Sequence, residues 1–292
     1  MYNIETYVKA DSVSHAVQLL NENQGARIIA GGTDVLISPH EGKDEFLDLV
    51  DIHELSELKG IALSDSGDVV IGSGVSFTGL AESQIISERI PMLAETVSTI
   101  AGPQLRNMAT IGGNICNGIT SADSAPPLFA LDAILTLQGI DGDRDISITD
   151  FYLGPGKVAI EPCEVLKSIT VSRENYEGFY GHYYKYAMRD SMDIATIGCA
   201  AVCKLGKNSI EDLRIAYGVA GPVPLRCKKA EEHANGNRVT GGLLNEISEM
   251  VIDDLNPRDS WRASKEFRVH IIKTLAFRAV KSAVNKAGGE IQ

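Results

Sequence analysis

The sequence predicts an α+β protein of two domains, and three observations carry that reading. A chain of 292 residues is too long for one minimal core. Residues 172–178 are charged and lack apolar periodicity, which marks them as a linker. After them the pattern changes: three β-rich segments, 180–188, 194–205 and 213–219, predict a three-stranded antiparallel sheet, and two helical patterns follow.

In the first domain, Asp11 or Ser12 can cap a helix whose apolar residues Val13, Ala16, Val17 and Leu20 recur at helical spacing, with Gly25 placed to end it. The β-rich run 27–30 feeds directly into Gly31-Gly32-Thr33-Asp34, so a strand, a tight turn and a short helix through Leu36 are expected. Residues 47–52 read as a strand, and 61–63 with 69–71 as a hairpin around Asp65-Ser66-Gly67-Asp68. One helix starts near Ser76 and runs through Leu80. Another starts at Pro91, a favoured first helical residue, and is stopped by Gly102-Pro103. A helix-like run at 127–131 precedes strands at 134–137 and 145–148. Gly154-Pro155-Gly156-Lys157 must be a turn or exposed loop, and 165–171 is the strand that closes the domain. In the second domain a helix over 243–255 is halted by Pro257, and a longer one begins near Ser260. There Ile272, Leu275, Ala276, Ala279, Val280 and Ala283 place one apolar face against the sheet.

Composition removes several function classes. A net charge of −12 argues against nucleic acid, whose phosphates it would repel. No apolar run approaches the roughly 18 residues that cross a bilayer, so no membrane span is expected. Met-Tyr-Asn-Ile-Glu at the start has neither a basic nor an apolar signal region. The five cysteines form no Cys-x-x-Cys pair, a pattern of free thiols that fits a reducing cytoplasm.

Most catalytic motifs fail. Val69-Val70-Ile71-Gly72-Ser73-Gly74 resembles the start of a dinucleotide fingerprint, yet its third glycine would be Phe77, and the plainer reading is a strand ending in a flexible turn. Lys43, Lys157 and Lys207 follow glycines without a phosphate-loop frame. The six histidines (His15, His40, His53, His182, His233 and His270) include no i,i+4 pair. Cys199 and Cys203 share a strand face as buried, inert thiols. No nucleophile elbow occurs.

Two glycine motifs remain. The stretch 110–123, Thr-Ile-Gly-Gly-Asn-Ile-Cys-Asn-Gly-Ile-Thr-Ser-Ala-Asp, puts small and hydrogen-bonding residues where a core wants bulk and ends in a lone carboxylate. It is either a glycine-rich packing element or the wall of a pocket for a phosphate-bearing ligand. Ala30-Gly31-Gly32-Thr33-Asp34 has the same character. Each alone could be a sharp turn or a close backbone crossing. Together, with Asn114, Ser121 and Asp123 following the second, they point to a jointly formed diphosphate cradle built from backbone amides, since the motifs hold few basic residues.

At these residues the sequence resembles the FAD-binding medium subunit of the molybdenum hydroxylases, the family of xanthine dehydrogenases, aldehyde oxidoreductases and carbon monoxide dehydrogenases. The resemblance runs through Ala30-Gly-Gly-Thr-Asp34, the block Ile100-Ala-Gly-Pro-Gln-Leu-Arg-Asn-Met-Ala-Thr-Ile-Gly-Gly-Asn114, Gly154-Pro-Gly-Lys157, Tyr184-Lys-Tyr-Ala-Met-Arg189 and Trp261-Arg-Ala-Ser-Lys-Glu-Phe-Arg268. Ser121-Ala-Asp-Ser-Ala-Pro126 looks closest to the separate FAD subunit of bacterial xanthine dehydrogenases.

The resemblance implies a two-part FAD-binding domain of the vanillyl-alcohol-oxidase-like (PCMH) type over residues 1–175, with parts at about 1–55 and 56–175. A smaller α+β domain of the carbon monoxide dehydrogenase flavoprotein type follows over 180–288. It implies that Ile28, Ala30, Gly31, Gly32, Thr33, Asp34 and Val35 line the pyrophosphate and adenosine side. Ile100 would pack against the isoalloxazine, while Thr110, Gly113 and Asn114 would bind the ribityl and phosphate region. Asp123 would accept from ribose or ribityl hydroxyls, Leu166 would cover an adenine or flavin face, and Lys185 would sit by the pyrimidine edge and stabilise negative charge on the reduced ring. The implied function is a relay. A molybdopterin-binding large subunit oxidises the substrate, [2Fe-2S] clusters of a small subunit pass the electrons, and FAD in this chain reduces NAD, which is expected to approach near 154–157. The chain lacks the cysteine-rich insertion of relatives with an extra [4Fe-4S] cluster, and Met192 stands where some relatives carry an acidic residue. Two alternatives stay open: the same subunit in a nicotinate, aldehyde or carbon monoxide hydroxylase, and a structural or assembly module without flavin.

Overall fold

A computed structural model describes residues 4–37, 47–207 and 209–291; His40 and Lys43 lie outside them. The chain begins with a small parallel sheet in the order Ile4–Lys9, Leu47–Asp51, Arg27–Ile29. Ser12 caps the helix Val13–Glu22 by accepting from the His15 N–H at 3.0 Å. The predicted stripe Val13, Ala16, Val17 and Leu20 is buried, against Val50, Ile52, Leu55, Leu58 and Val165. The valine and leucine side chains each contribute about 1.5–3 kcal/mol of burial.

The second sheet has five antiparallel strands in the order Ile61–Leu63, Val69–Gly72, Val165–Val171, Ile134–Gly139, Gly142–Ser147. The predicted hairpin and the closing strand are both present. The chain supplies more short helices than its pattern announces: Phe77–Glu82, Gln84–Arg89, Pro91–Ser98, Pro103–Met108, Ile111–Cys116 and Ala125–Ala130. The helix from Pro91 ends at Ser98, before Gly102-Pro103, and that pair instead starts the next helix, because proline suits a first helical position. The short helix expected through Leu36 is instead a run of turns over 33–36.

The third sheet contains Tyr180–Tyr186, Ile197–Leu205 and Ile210–Gly218 in antiparallel order, plus a fourth short strand, Leu225–Arg226, beyond the three predicted. Its two faces alternate between two cores. Cys199, Ala201, Cys203, Ile215 and Tyr217 pack with buried residues of Gly241–Met250 and Lys265–Lys286, whereas Tyr183, Ala200, Val202 and Ala216 join the large core of the five-stranded sheet. A strand buried on both faces reads as a continuous apolar run, as residues 197–203 do.

The segment expected to be a linker is packed. It folds as the helix Arg173–Tyr176, with Tyr176 buried in the large core and its hydroxyl donating to the Gly67 carbonyl. The Arg173 N–H donates to Asp68 at 2.9 Å. Further cross-ties reach over the sheet. Buried Arg226 grips Glu231 with two hydrogen bonds and Asp132 with a third, and Lys286 at the end of the last helix binds Glu95 at 2.8 Å.

Candidate functional site

The two glycine motifs meet. A side chain at Gly31 would put its Cβ 2.0 Å from the Met108 carbonyl oxygen, so the first loop lies directly on the segment leading into Thr110. Gly32 follows with φ +69°, a left-handed conformation that glycine adopts without strain. Ile28 and Ala30 rest on the small N-terminal core, Thr33 and Val35 are half-buried, and Asp34 is exposed. Among the described residues, the backbone N–H groups of Gly31, Gly32, Thr33 and Asp34 find no acceptor. Clustered amide donors at a turn are a ready anion site.

The second motif is built differently. Thr110 is a buried N-cap, and its hydroxyl accepts from Gly113 N–H at 3.1 Å. Ile111 N–H donates to Val75, Gly112 N–H to Ser73 and Asn114 N–H to Thr110. Every amide of the first turn is therefore already used, which corrects the expectation that both motifs lend amides to phosphate. Gly112 is a close crossing, since a Cβ there would lie 2.5 Å from that of Ser73. Gly72, the glycine of the apparent dinucleotide fingerprint, is another, 2.2 Å from the Leu58 carbonyl, and so is no flexible turn. Gly113 differs: it is exposed, and a Cβ would meet only the Thr110 hydroxyl, at 3.0 Å.

Beyond this helix Ser124 donates to the Asn114 side chain at 2.6 Å, and Asp123 is buried at 7 % exposure. Its two oxygens accept from the Tyr183 hydroxyl at 2.6 Å and the Lys185 ammonium at 2.9 Å, both on the strand Tyr180–Tyr186 of the third sheet. Burial pushes the Asp123 carboxyl above the usual range, opposed by the Lys185 charge and then by the Tyr183 hydrogen bond. The phenol itself is pushed well up by burial. Lys185 also reaches the Thr99 carbonyl at 3.3 Å. The next two carbonyls, of Ile100 and Ala101, accept from Arg106 at 2.8 and 3.1 Å, and Ala101 has φ +42°. Ile100, 8 % exposed, thus sits at a strained corner held from both sides.

The donor set fits FAD. The amides of 31–34 suit a diphosphate that has no basic side chain beside it in that loop, Ile100 offers an apolar wall, and Lys185 brings one cation to a buried position. Residues 2–173 match the FAD-binding domain in molybdopterin dehydrogenase, and residues 182–283 match the carbon monoxide dehydrogenase flavoprotein C-terminal domain. The chain belongs to the FAD-binding medium subunits of the molybdenum hydroxylases. It is 46% identical to a xanthine dehydrogenase FAD-binding subunit of Escherichia coli O157:H7 over 292 residues, 100% of both chains. It is 30% identical to the carbon monoxide dehydrogenase medium chain of Hydrogenophaga pseudoflava, covering 96% of each. A solved structure of carbon monoxide dehydrogenase from the same organism superposes with a TM-score of 0.93 at 29% identity, over 98% of this chain and 99% of that one.

Within this medium subunit, Gly31, Thr110, Gly113, Asn114, Asp123, Lys185 and Ile100 are connected partly by direct hydrogen bonds and partly through their chain neighbours Met108, Ser124 and Thr99. Leu166 lies apart from those contacts, 3 % exposed in the large core. Gly154 to Lys157 forms the turn of a two-stranded hairpin, with Pro155, Gly156 and Lys157 exposed and the Gly156 N–H donating to Gly118 at 3.0 Å. Sequence reasoning missed Tyr183, Ser124 and Arg106. Tyr183 had a signal: it stands two residues before Lys185 on a strand, hence on the same face. Among the described residues no cluster of three or more metal-ligating side chains occurs, and no helix is long and apolar enough to cross a membrane. Burial pushes the thiols of Cys199 and Cys203 up to about 12, as inert core cysteines require.

Proposed function

We propose that this chain is the electron-transferring FAD subunit of a xanthine dehydrogenase-like complex in the cytoplasm. A molybdopterin-binding large subunit oxidises the purine, a small subunit relays electrons through [2Fe-2S] clusters, and this chain delivers them to NAD. The observation that carries the reading is the 46% identity with a xanthine dehydrogenase FAD-binding subunit along the whole of both chains. When bound, FAD converts single-electron delivery into two-electron transfer.

The chain's own residues bind and orient. Amides of Gly31 to Asp34 hold the diphosphate, and bare Gly113 lets backbone approach it closely. Thr110 and Asn114 shape the ribityl side, Asp123 accepts from hydroxyls, and Ile100 walls the rings. Lys185 supplies positive charge where negative charge develops on reduction, which stabilises the reduced form. No acid–base dyad is needed, because substrate oxidation takes place on another subunit.

The test is co-expression with the large and small subunits and measurement of xanthine-dependent NAD reduction. Full turnover with oxygen but not NAD would sink the acceptor assignment. A second reading places the chain in another hydroxylase: it is also 30% identical to a glyceraldehyde dehydrogenase medium chain of Sulfolobus acidocaldarius, covering 94% of this chain and 97% of that one. The identity of the co-purifying large subunit decides between them.

A further inference from the structure

We propose that Tyr183 is a positioning residue of the flavin site: its hydroxyl fixes the Asp123 carboxylate as an anion turned toward Lys185, and thereby sets the ammonium against the Thr99–Ala101 corner. The inference rests on the flavin reading above and adds a residue that neither glycine motif contains.

The geometry is specific. Tyr183 donates to one carboxylate oxygen at 2.6 Å while Lys185 takes the other at 2.9 Å, so the two donors fix both the position and the rotation of the carboxylate. Hydrogen bonds to a charged acceptor are about twice as strong as neutral ones. Tyr183 is buried, and its place is prepared from beneath. The neighbouring strand has glycine at 198, where a Cβ would lie 2.5 Å from the tyrosine hydroxyl oxygen. The next strand has glycine at 218, where a Cβ would lie 2.9 Å from the Thr120 carbonyl. These two glycines face each other across the ladder. They let the loop carrying Asp123 settle onto the third sheet close enough for the contact to form. The Val219 N–H also donates to Thr120 at 3.1 Å, with Val219 held at φ +63°.

Among the described residues, the charged or titratable groups acting on Asp123 are Lys185 and Tyr183, and Cys199 lies beyond Tyr183 on the adjoining strand. Burial favours the protonated carboxyl; Lys185 and Tyr183 oppose it. Removing the phenol hydroxyl therefore shifts protonation of Asp123 to higher pH. Loss of the anion releases Lys185 and weakens acceptance from flavin hydroxyls, so FAD affinity falls as pH drops, and falls sooner without the phenol.

The experiment is titration of full-length apoprotein with FAD, followed by fluorescence across acid to alkaline pH. Tyr183→Phe is expected to bind about tenfold more weakly on the acid side and to converge on the parent at alkaline pH. Gly198→Ala, which displaces the hydroxyl while keeping the phenol, is expected to give the same displaced curve. Asp123→Asn is expected to be weak at every pH. A Tyr183→Phe curve that coincides with the parent, or one lowered equally at all pH as a packing defect would give, overturns the positioning role alone. A parent apoprotein that takes up no FAD at any pH overturns the flavin reading and the proposal with it. Thermal unfolding of each apoprotein identifies any variant that has lost its fold, and the conservative Tyr183→Phe keeps the test decisive if Gly198→Ala does not fold.

Discussion

The loop 31–34 and the helix Ile111–Cys116 look alike in sequence, each a glycine pair beside hydroxyl and amide residues, yet they do opposite things with their backbone. The first leaves four N–H groups without an acceptor among the described residues; the second uses those of Ile111, Gly112, Gly113 and Asn114 internally. The first is a donor surface, the second a shaped wall whose glycines permit close approach. A glycine pair therefore signals proximity, and only the hydrogen-bond inventory shows whether its amides are available.

The contrast can be broken from either side. The largest effect is expected at Gly112→Ala, which drives a methyl into Ser73 and should cost about 3 kcal/mol in a denaturant titration. Parent-like stability there would remove the packing role. Gly113→Val, which meets only the Thr110 hydroxyl, should change stability by about 1 kcal/mol or less while weakening FAD about 100-fold. Unchanged flavin affinity would leave the second motif with no ligand at all. Asp123→Ala should weaken FAD by about 2 kcal/mol in calorimetry, by losing an acceptor and freeing Lys185; parent-like affinity would reassign Asp123 to packing. The smallest effect is expected at Lys157→Ala, at the exposed hairpin turn tied to Gly118 beyond the second motif. It should raise KM for NAD by about threefold with flavin content intact, as for loss of an exposed charge contact, and identical NAD kinetics would move the acceptor's approach elsewhere.

Much of the architecture was legible because strands and long helices write their periods into the chain. The stripe from Val13 to Leu20, the hairpin at 61–71 and the face from Ile272 to Ala283 are examples. The six-residue helices near Ser76 and 127–131 were also legible, but Pro103–Met108 and Ile111–Cys116 were not, since proline at 103 and glycine in Ile111–Cys116 read as breakers while serving as a helix start and packing sites. Residues 172–178 looked like a linker because one buried tyrosine makes no period. In the site, glycine motifs and Asp123 stood out by composition. The partnership of Asp123 with Tyr183 could not, as 60 residues separate them and only tertiary packing brings them together.

The tie between Lys286 and Glu95 has a consequence for the order of assembly. Glu95 lies on the helix Pro91–Ser98, whose end leads into Thr99 and Ile100, and Lys286 is the last residue of the final helix. The strand bearing Lys185 is covered by that same helix. During synthesis the loop 31–34 emerges early, whereas the corner at Thr99 and Ile100 and the strand bearing Lys185 are braced only once Lys286 has emerged. A chain truncated before Lys265–Lys286 would keep both glycine motifs and lose that brace.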